Sequence, residues 1–352
     1  TCALPIFAPL MRNHRWSVIY NLDLEATAGE FARQPGALLD IAFTEQDEPM
    51  SAVRDQMLRA AVLRRRGADR WEKYEANAFG RLRELIVREA QIQPVQPRRN
   101  VLEDQIVWAR SPARLDLAGG WTDTPPYCIE FGGKVVNVAA DLNGQPPVQV
   151  FAKLCERPEL VVRSIDLGVE QRVKTFADLD TFAQPDSGFA LAKAAFALAG
   201  FLPRFHAEGN FKSLEEQLRA FGGGIEISML SAVPKGSGLG TSSILAATLL
   251  ATLSDLCALG WDRHTLFKRT LAMEQMLTTG GGWQDQAGGL FRGIKLIETA
   301  PGLSQKPTLR WLPEHLFGHV FANHTLLLYY TGVTRLAKNI LGEIRSEEHT
   351  SE

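Results

Sequence analysis

Ten residues, PKGSGLGTSS from Pro234 to Ser243, pack three glycines and a run of hydroxyl side chains between a β-like run and a long apolar helix. Glycine removes side chains, so backbone N–H groups in such a turn can converge on an anion. A helix starting near Thr241 adds unsatisfied N–H groups and the positive end of its dipole, worth roughly 0.3–2 kcal/mol to an anion. Thr241, Ser242 and Ser243 can cap that helix or hold a metal. The stretch is not a Walker loop, because Lys235 precedes the glycines, and the glycine order also breaks a G-x-G-x-x-G fingerprint. On residue chemistry alone, a phosphate cradle and a plain structural turn both fit.

Two carboxylates extend the chemistry. On a helix from about Asp262, Phe267, Leu271, Glu274 and Thr278 share one stripe, so Glu274 lies on a face with apolar residues. A buried carboxylate is costly unless it meets a cation, strong donors or a salt-bridge partner. Further on, TTGGGWQDQAGG sets Asp285 among glycines and between two glutamines. Such an aspartate is either a turn former or a carboxylate that comes close to a ligand.

The elements that must position these residues form a mixed α+β chain. Residues 53–89 read as helix with a break near Gly67, and Trp71, Tyr74, Phe79, Leu82 and Ile86 recur at helical spacing. IQPVQPRRN, Ile92 to Asn100, carries two prolines and marks a linker. In ARSPARLDLAGG, Ala113, Leu115 and Leu117 alternate with Arg114 and Asp116, as on a half-buried strand. KVVNVAADL, PVQVFAKL, ELVVRSI, KLIETA and HTLLLYYTGV are further strand candidates. SGFALAKAAFALAGF reads as a helix with Asp186 or Ser187 as its cap, FGGGIEISMLSAV as a turn and strand, and TRLAKNIL as a helix start.

At 352 residues, with 45% hydrophobic and 22% charged residues, the chain has ordinary globular composition and room for two domains. A net charge of −2 gives no reason to expect nucleic acid or an anionic membrane as partner. The most apolar helix, from Ile244, is interrupted by Asp255 and too short to span a bilayer comfortably. Cys128, Cys155 and Cys257 show no metal-type spacing, which predicts a reduced, cytoplasmic protein. RSEEHTSE at residues 345–352 matches the translation of a common sequencing adapter. TCALPI at residues 1–6 matches the reverse complement of the same oligonucleotide. Both ends are therefore expected to be foreign, and the protein to extend past them.

SPARLDLAGGWTDTPPYCIEFGG, PKGSGLGTSS and TTGGGWQDQAGG, in that order, resemble the successive motifs of the GHMP small-molecule kinases, and among these most closely the fucokinases. The likeness runs from about Val107 to Ile344. It implies an α+β fold whose residues 101–300 form a GHMP-kinase N-terminal domain of ribosomal-protein-like β-α-β type. Residues 7–100 are then a mostly helical upstream extension and linker, and residues 301–344 the start of a truncated C-terminal GHMP domain. The family's third glycine-rich motif would lie beyond Ile344, so this piece alone is expected to bind ATP weakly and turn over little.

The resemblance also implies ATP and Mg²⁺ as cofactors and L-fucose as the sugar, phosphorylated at its anomeric hydroxyl, with a nucleotidyltransferase domain fused upstream. Pro234, Lys235, Gly236, Ser237, Gly238, Leu239, Gly240, Thr241, Ser242 and Ser243 would form the ATP phosphate loop, and Ser242 with Glu274 would hold Mg²⁺. Asp285 matches the family's catalytic base and Arg114 the arginine beside it, while Asp123 matches the aspartate that binds sugar hydroxyls. Galactokinases have GEHTD where this chain has Gly120 and Trp121 in GGWTD, so part of their hydroxyl-binding set is missing. Trp121 either packs on the methyl of a 6-deoxy sugar or belongs to the core. His315 and His319 lack the glutamate of a zinc helix and read as a decoy. A heptose-phosphate kinase and a non-catalytic sugar sensor remain as alternatives, with Trp283 favouring the fucokinases over the former.

Overall fold

A computed structural model describes residues 7–34, 38–184, 187–208, 210–234, 236–277 and 281–313, together with 315, 328, 329 and 331. The chain divides into two units, one built on the residues up to Ile86 and the other on those from Val87 onward.

The first unit is helical. Its elements are α1 (Phe7–Arg12), α2 (Leu24–Arg33), α3 (Pro49–Arg65) and the greater part of α4 (Trp71–Glu89). Asp23 caps α2 by accepting from the Ala26 N–H, and Pro49 opens α3 where its missing N–H costs nothing. The expected break falls between α3 and α4, with Gly67 in the left-handed region at φ 62°. Met11, Ile19, Phe31, Leu58 and Val62 make the core. Set into this unit is a buried polar group: Asp55 accepts from the Tyr20 hydroxyl at 2.8 Å and from Arg59 Nε at 2.7 Å. Arg59 also donates to the carbonyl of Leu39.

In the second unit Pro112 divides the expected strand into two. β1 (Val107–Ser111) and β2 (Ala113–Ala118) enter different sheets. After the short α5 (Tyr127–Phe131) come β3 (Lys134–Ala140), β4 (Val148–Cys155), β5 (Leu160–Ser164) and β6 (Val169–Val173). Helices α6 (Phe176–Leu179), α7 (Ala190–Phe196) and α8 (Leu214–Phe221) lead to β7 (Gly224–Ser231). Then follow α9 (Thr241–Leu256), α10 (Arg263–Met276), α11 (Gln284–Leu290), β8 (Ile294–Glu298) and β9 (Thr308–Trp311). HTLLLYYTGV, TRLAKNIL and His319 fall wholly or largely outside the described residues.

One sheet has the order β1-β4-β7-β5-β6, antiparallel except where β5 runs parallel to β7. The other, β2-β3-β8-β9, is antiparallel throughout. Leu249, Leu250 and Leu253 of α9 join Val150, Ile225 and Ile227 of the first sheet and Phe196 and Phe201 in one core. A helix buried on nearly all sides, as α9 is, needs no polar face, which explains its run of alanine and leucine. Ser187 does not cap α7: Phe189 stands at the cap, and the Ser187 hydroxyl accepts from Lys193 instead. The proline-rich segment at 92–100 is bound along its length. Val95 N–H donates to Phe205 O, Arg98 N–H to Cys257 O and Asn100 N–H to Leu256 O. Among the described residues no helix is long and apolar enough to cross a membrane.

Candidate active site

β2 runs from a buried start at Ala113 and Arg114 to an exposed end from Asp116 to Ala118, in place of the alternation expected of a half-buried strand. Arg114 is buried, whereas Leu117 is 44% exposed. α11 packs on β2 and covers Arg114. Gly288 of α11 makes the fit possible, because a Cβ there would lie 2.3 Å from Arg114 Cγ. The guanidinium then spans two acids, donating through Nη1 to Asp116 and through Nη2 to Asp285. Nη2 also lies 3.5 Å from the carbonyl of Gly238, which ties the arginine to the glycine-rich loop. Arg114 Nε is buried and has no hydrogen-bond partner among the described residues.

The loop meets Asp285 at Gly240. This residue is the N-cap of α9 with φ 71°, a left-handed conformation that disfavours a side chain. A Cβ here would sit 2.9 Å from Asp285 Cγ, so only glycine admits the aspartate so close. No side chain caps α9, which leaves its first N–H groups and its dipole directed at the loop. Ser237 Oγ is also buried without a partner among the described residues. An anion held here would satisfy both. Lys235 lies outside the described residues.

α10 starts where Asp262 accepts from the Thr265 N–H, and it carries Glu274 into the same place. Glu274 is buried, and burial pushes its carboxyl up to about 8. The Ser243 hydroxyl opposes that shift by donating to Glu274 Oε1, while the charges of Asp285 and Asp123 add to it. The hydroxyl on Glu274 is thus Ser243's, and the neighbouring Ser242 is exposed. One helical residue turns by 100°, which is enough to exchange the two serines.

Asp123 is 1% exposed. Its Oδ2 accepts from the Gln284 N–H at 2.8 Å and so anchors the first turn of α11, one residue before Asp285. Its Oδ1 has no partner among the described residues. Burial pushes this carboxyl up to about 6, aided by the charge of Asp285 and opposed by the Gln284 N–H and Arg114. Trp121 is 38% exposed with φ 74°, which excludes the core reading. Trp283, by contrast, is fully buried and donates to Gln305 at 3.1 Å.

Asp116, Asp123, Asp285 and Glu274 therefore gather around Arg114 and the start of α9. Oxygen donors in excess over positive charge suit a hard cation such as Mg²⁺, which takes one or two carboxylates and completes its shell with phosphate and water. Among the described residues no group of three or more His, Cys, Asp or Glu forms a metal cage by itself. Sequence reasoning brought Arg114, Asp123, Glu274, Asp285 and, as a loop residue, Ser243 forward, but set Ser242 rather than Ser243 beside Glu274 and passed over Asp116 and the Gln284 backbone. Asp116 had a signal, since it lies two residues from Arg114 on the same face of a strand. The Asp123–Gln284 bond had none.

Residues 207–293 match the family described as GHMP kinases N terminal domain. The chain is 50% identical over 334 residues to an L-fucokinase/L-fucose-1-P guanylyltransferase of Bacteroides fragilis, a match covering 95% of this chain and 35% of that protein. It is 31% identical over 251 residues to a bifunctional fucokinase/GDP-fucose pyrophosphorylase of Arabidopsis thaliana, covering 71% of this chain and 22% of that one. The chain thus spans about a third or less of the length of these relatives. Among solved structures, a D-glycero-D-manno-heptose 1-phosphate kinase from Bacteroides thetaiotaomicron matches with a TM-score of 0.44 at 20% identity, covering 59% of this chain and 60% of that one.

Proposed function

Because the chain carries a GHMP kinase N-terminal domain, we propose that its site takes part in transferring the γ-phosphoryl group of ATP to the anomeric hydroxyl of L-fucose, yielding L-fucose 1-phosphate and ADP. The observation that carries the reaction is the pairing of Arg114 with Asp285 beside an uncapped helix N-terminus and a glycine loop. The half-identical relative, named as a fucokinase, supports the choice of sugar.

Phosphoryl transfer asks for positioning and charge neutralisation more than for covalent chemistry. The N–H groups of the loop from Gly236 to Ser243 hold the phosphates, with Ser237 Oγ donating to one of their oxygens. Asp285 accepts the proton of the attacking hydroxyl through the oxygen that Arg114 leaves free. Arg114 offsets negative charge as it builds. Glu274 and Ser242, at the start of α9, would hold Mg²⁺, which when bound neutralises phosphate charge. Asp123 fixes α11 and offers its unpartnered oxygen to a sugar hydroxyl. Trp121, exposed at the rim, packs on the 6-methyl group.

The test is ADP release by the protein at its full natural length, with L-fucose, D-galactose, D-arabinose, a heptose phosphate or no sugar. Release that depends on fucose and stops when Mg²⁺ is chelated is the expected result. Release with heptose phosphate alone would keep the chemistry and overturn the sugar. Sugar binding without release under any condition would point to a sensor.

A further inference from the structure

We infer that Asp116 is a positioning residue: it holds one arm of Arg114 and thereby prevents the guanidinium from closing on Asp285 with both arms. The inference deepens the phosphoryl-transfer reading and depends on it for its kinetic test, but not for its structural one.

A guanidinium presents parallel donors that match both oxygens of a carboxylate, and a buried arginine facing a single acid tends to take that bidentate form. Here the fork is split. Nη1 goes to Asp116 Oδ2 and Nη2 to Asp285 Oδ1. Both acids have a second oxygen with no hydrogen-bond partner among the described residues. Both are also partly exposed, at 28% for Asp116 and 29% for Asp285.

The arginine has a reason to turn if released. Its Nε is buried and unpaired, and an orphaned buried donor gains by reaching an acceptor. Its stem is fixed by the close approach of Gly288, so the guanidinium can swing but cannot withdraw. The carboxylate that stops the swing is Asp116, two residues along the same strand. A bidentate grip would engage both oxygens of Asp285, leaving the acceptor hydroxyl to compete with a cation for the base. The split fork keeps Arg114 close enough to offset charge and leaves Asp285 Oδ2 open.

The Asp116 carboxylate makes no other hydrogen bond among the described residues, so the one visible task of this side chain is this contact. Of the other groups around Asp285, the Gly238 carbonyl meets Arg114 only through Nη2 and only at 3.5 Å, so it leaves Nη1 unrestrained. Gly240 has no side chain, and Asp123 Oδ2 and Glu274 Oε1 accept from Gln284 and Ser243.

The test is Asp116→Ala in the full-length protein, by crystallography and by steady-state kinetics. The expected structure has two guanidinium nitrogens of Arg114 within hydrogen-bond distance of Asp285. The expected kinetics are a kcat lowered roughly 10- to 100-fold, the cost of a misplaced catalytic group, with KM for ATP unchanged. Added to Arg114→Met, the same substitution should lower kcat no further, because its effect passes through Arg114. An Arg114 that stays on a single oxygen of Asp285, or losses that multiply in the double variant, would overturn the inference. Asp116→Asn keeps an acceptor for Nη1 and should lose less. Asp116→Val, which also removes the acceptor and suits a strand position, replaces the alanine variant in both measurements if that one does not fold. Absence of turnover by the unsubstituted enzyme with every sugar would sink the phosphoryl-transfer reading, and the crystal structure would still decide the position of Arg114.

Discussion

The two units each bury an arginine against an aspartate, and the pairs could hardly be used more differently. In the helical unit Arg59 and Asp55 satisfy each other, the Tyr20 hydroxyl and the Gln56 amide also donate to the acid, and the Leu39 carbonyl and Asp40 face the arginine. In the sheet unit Arg114 is divided between two acids, and buried polar atoms of Arg114, Asp123, Gln284 and Gln286 lack partners among the described residues. A closed polar network fixes one packing, and removing either member leaves a buried charge uncompensated. An open network, surrounded by glycines and too acidic for its one arginine, awaits something from outside. The comparison teaches that buried charge by itself says little about function. The unsatisfied remainder says more.

The sharpest way to break this comparison is to neutralise an acid in each place. Asp285→Asn should lower turnover roughly 10²–10⁴-fold, as for a lost general base, while leaving the melting temperature nearly unchanged. Turnover within threefold of the parent would remove Asp285 from that role. Asp55→Ala should do the opposite, destabilising its unit by roughly 3–5 kcal/mol in denaturant melts with no change in turnover per folded molecule. A mild melt for Asp55→Ala would make the closed network ornamental. Gly240→Ala tests the open site through shape rather than charge. Its methyl meets Asp285 and its φ is strained, so turnover should fall about 10²-fold for a stability loss of about 1–2 kcal/mol. Equal losses in both quantities would mean that the loop is only a turn.

Lys295 gives the smallest and subtlest test. It is fully buried on β8 with Gly293 O as its hydrogen-bond acceptor at 3.3 Å, and burial pulls its ammonium down from 10.5 to about 8. Between about pH 8 and 10.5 the unfolded chain binds more protons at this residue than the folded one, so stability should rise across that window. Lys295→Met should flatten the rise and stabilise the protein at pH 7 by roughly 1–3 kcal/mol in chemical melts. A steeper rise in the variant would show that the lysine has a use for its charge.

Much of the fold was legible because hydrophobic period and turn residues act locally. The break near Gly67, the helix start near Asp262 and strands β3, β4, β5 and β8 all lie in segments whose own residues specify them. What escaped depended on contacts distant in sequence. The alternation at Arg114 predicted a strand but not its covered side, which is decided by an aspartate 171 residues away. Pro112 divided that strand between two sheets, a choice that no local pattern announced. In the site, the glycine stretch and the carboxylates could be seen from residue types. The choice of Ser243 over Ser242 against Glu274 is a matter of helix phase, fixed only once α9 and α10 pack.

The proline-rich segment at 92–100 bears on how this protein can be taken apart. Its texture invites a cut just before the β-rich region, as though it were a tether between pieces. Yet its backbone is stitched to residues 205, 256 and 257, and Arg269, on the helix that carries Glu274, donates to the carbonyl of Gln93 at 2.9 Å. A shortened protein starting at Gln105 would expose those seams and leave a buried guanidinium short of an acceptor. Dissection has to begin upstream of Gln93, where the chain first ceases to be part of the weave.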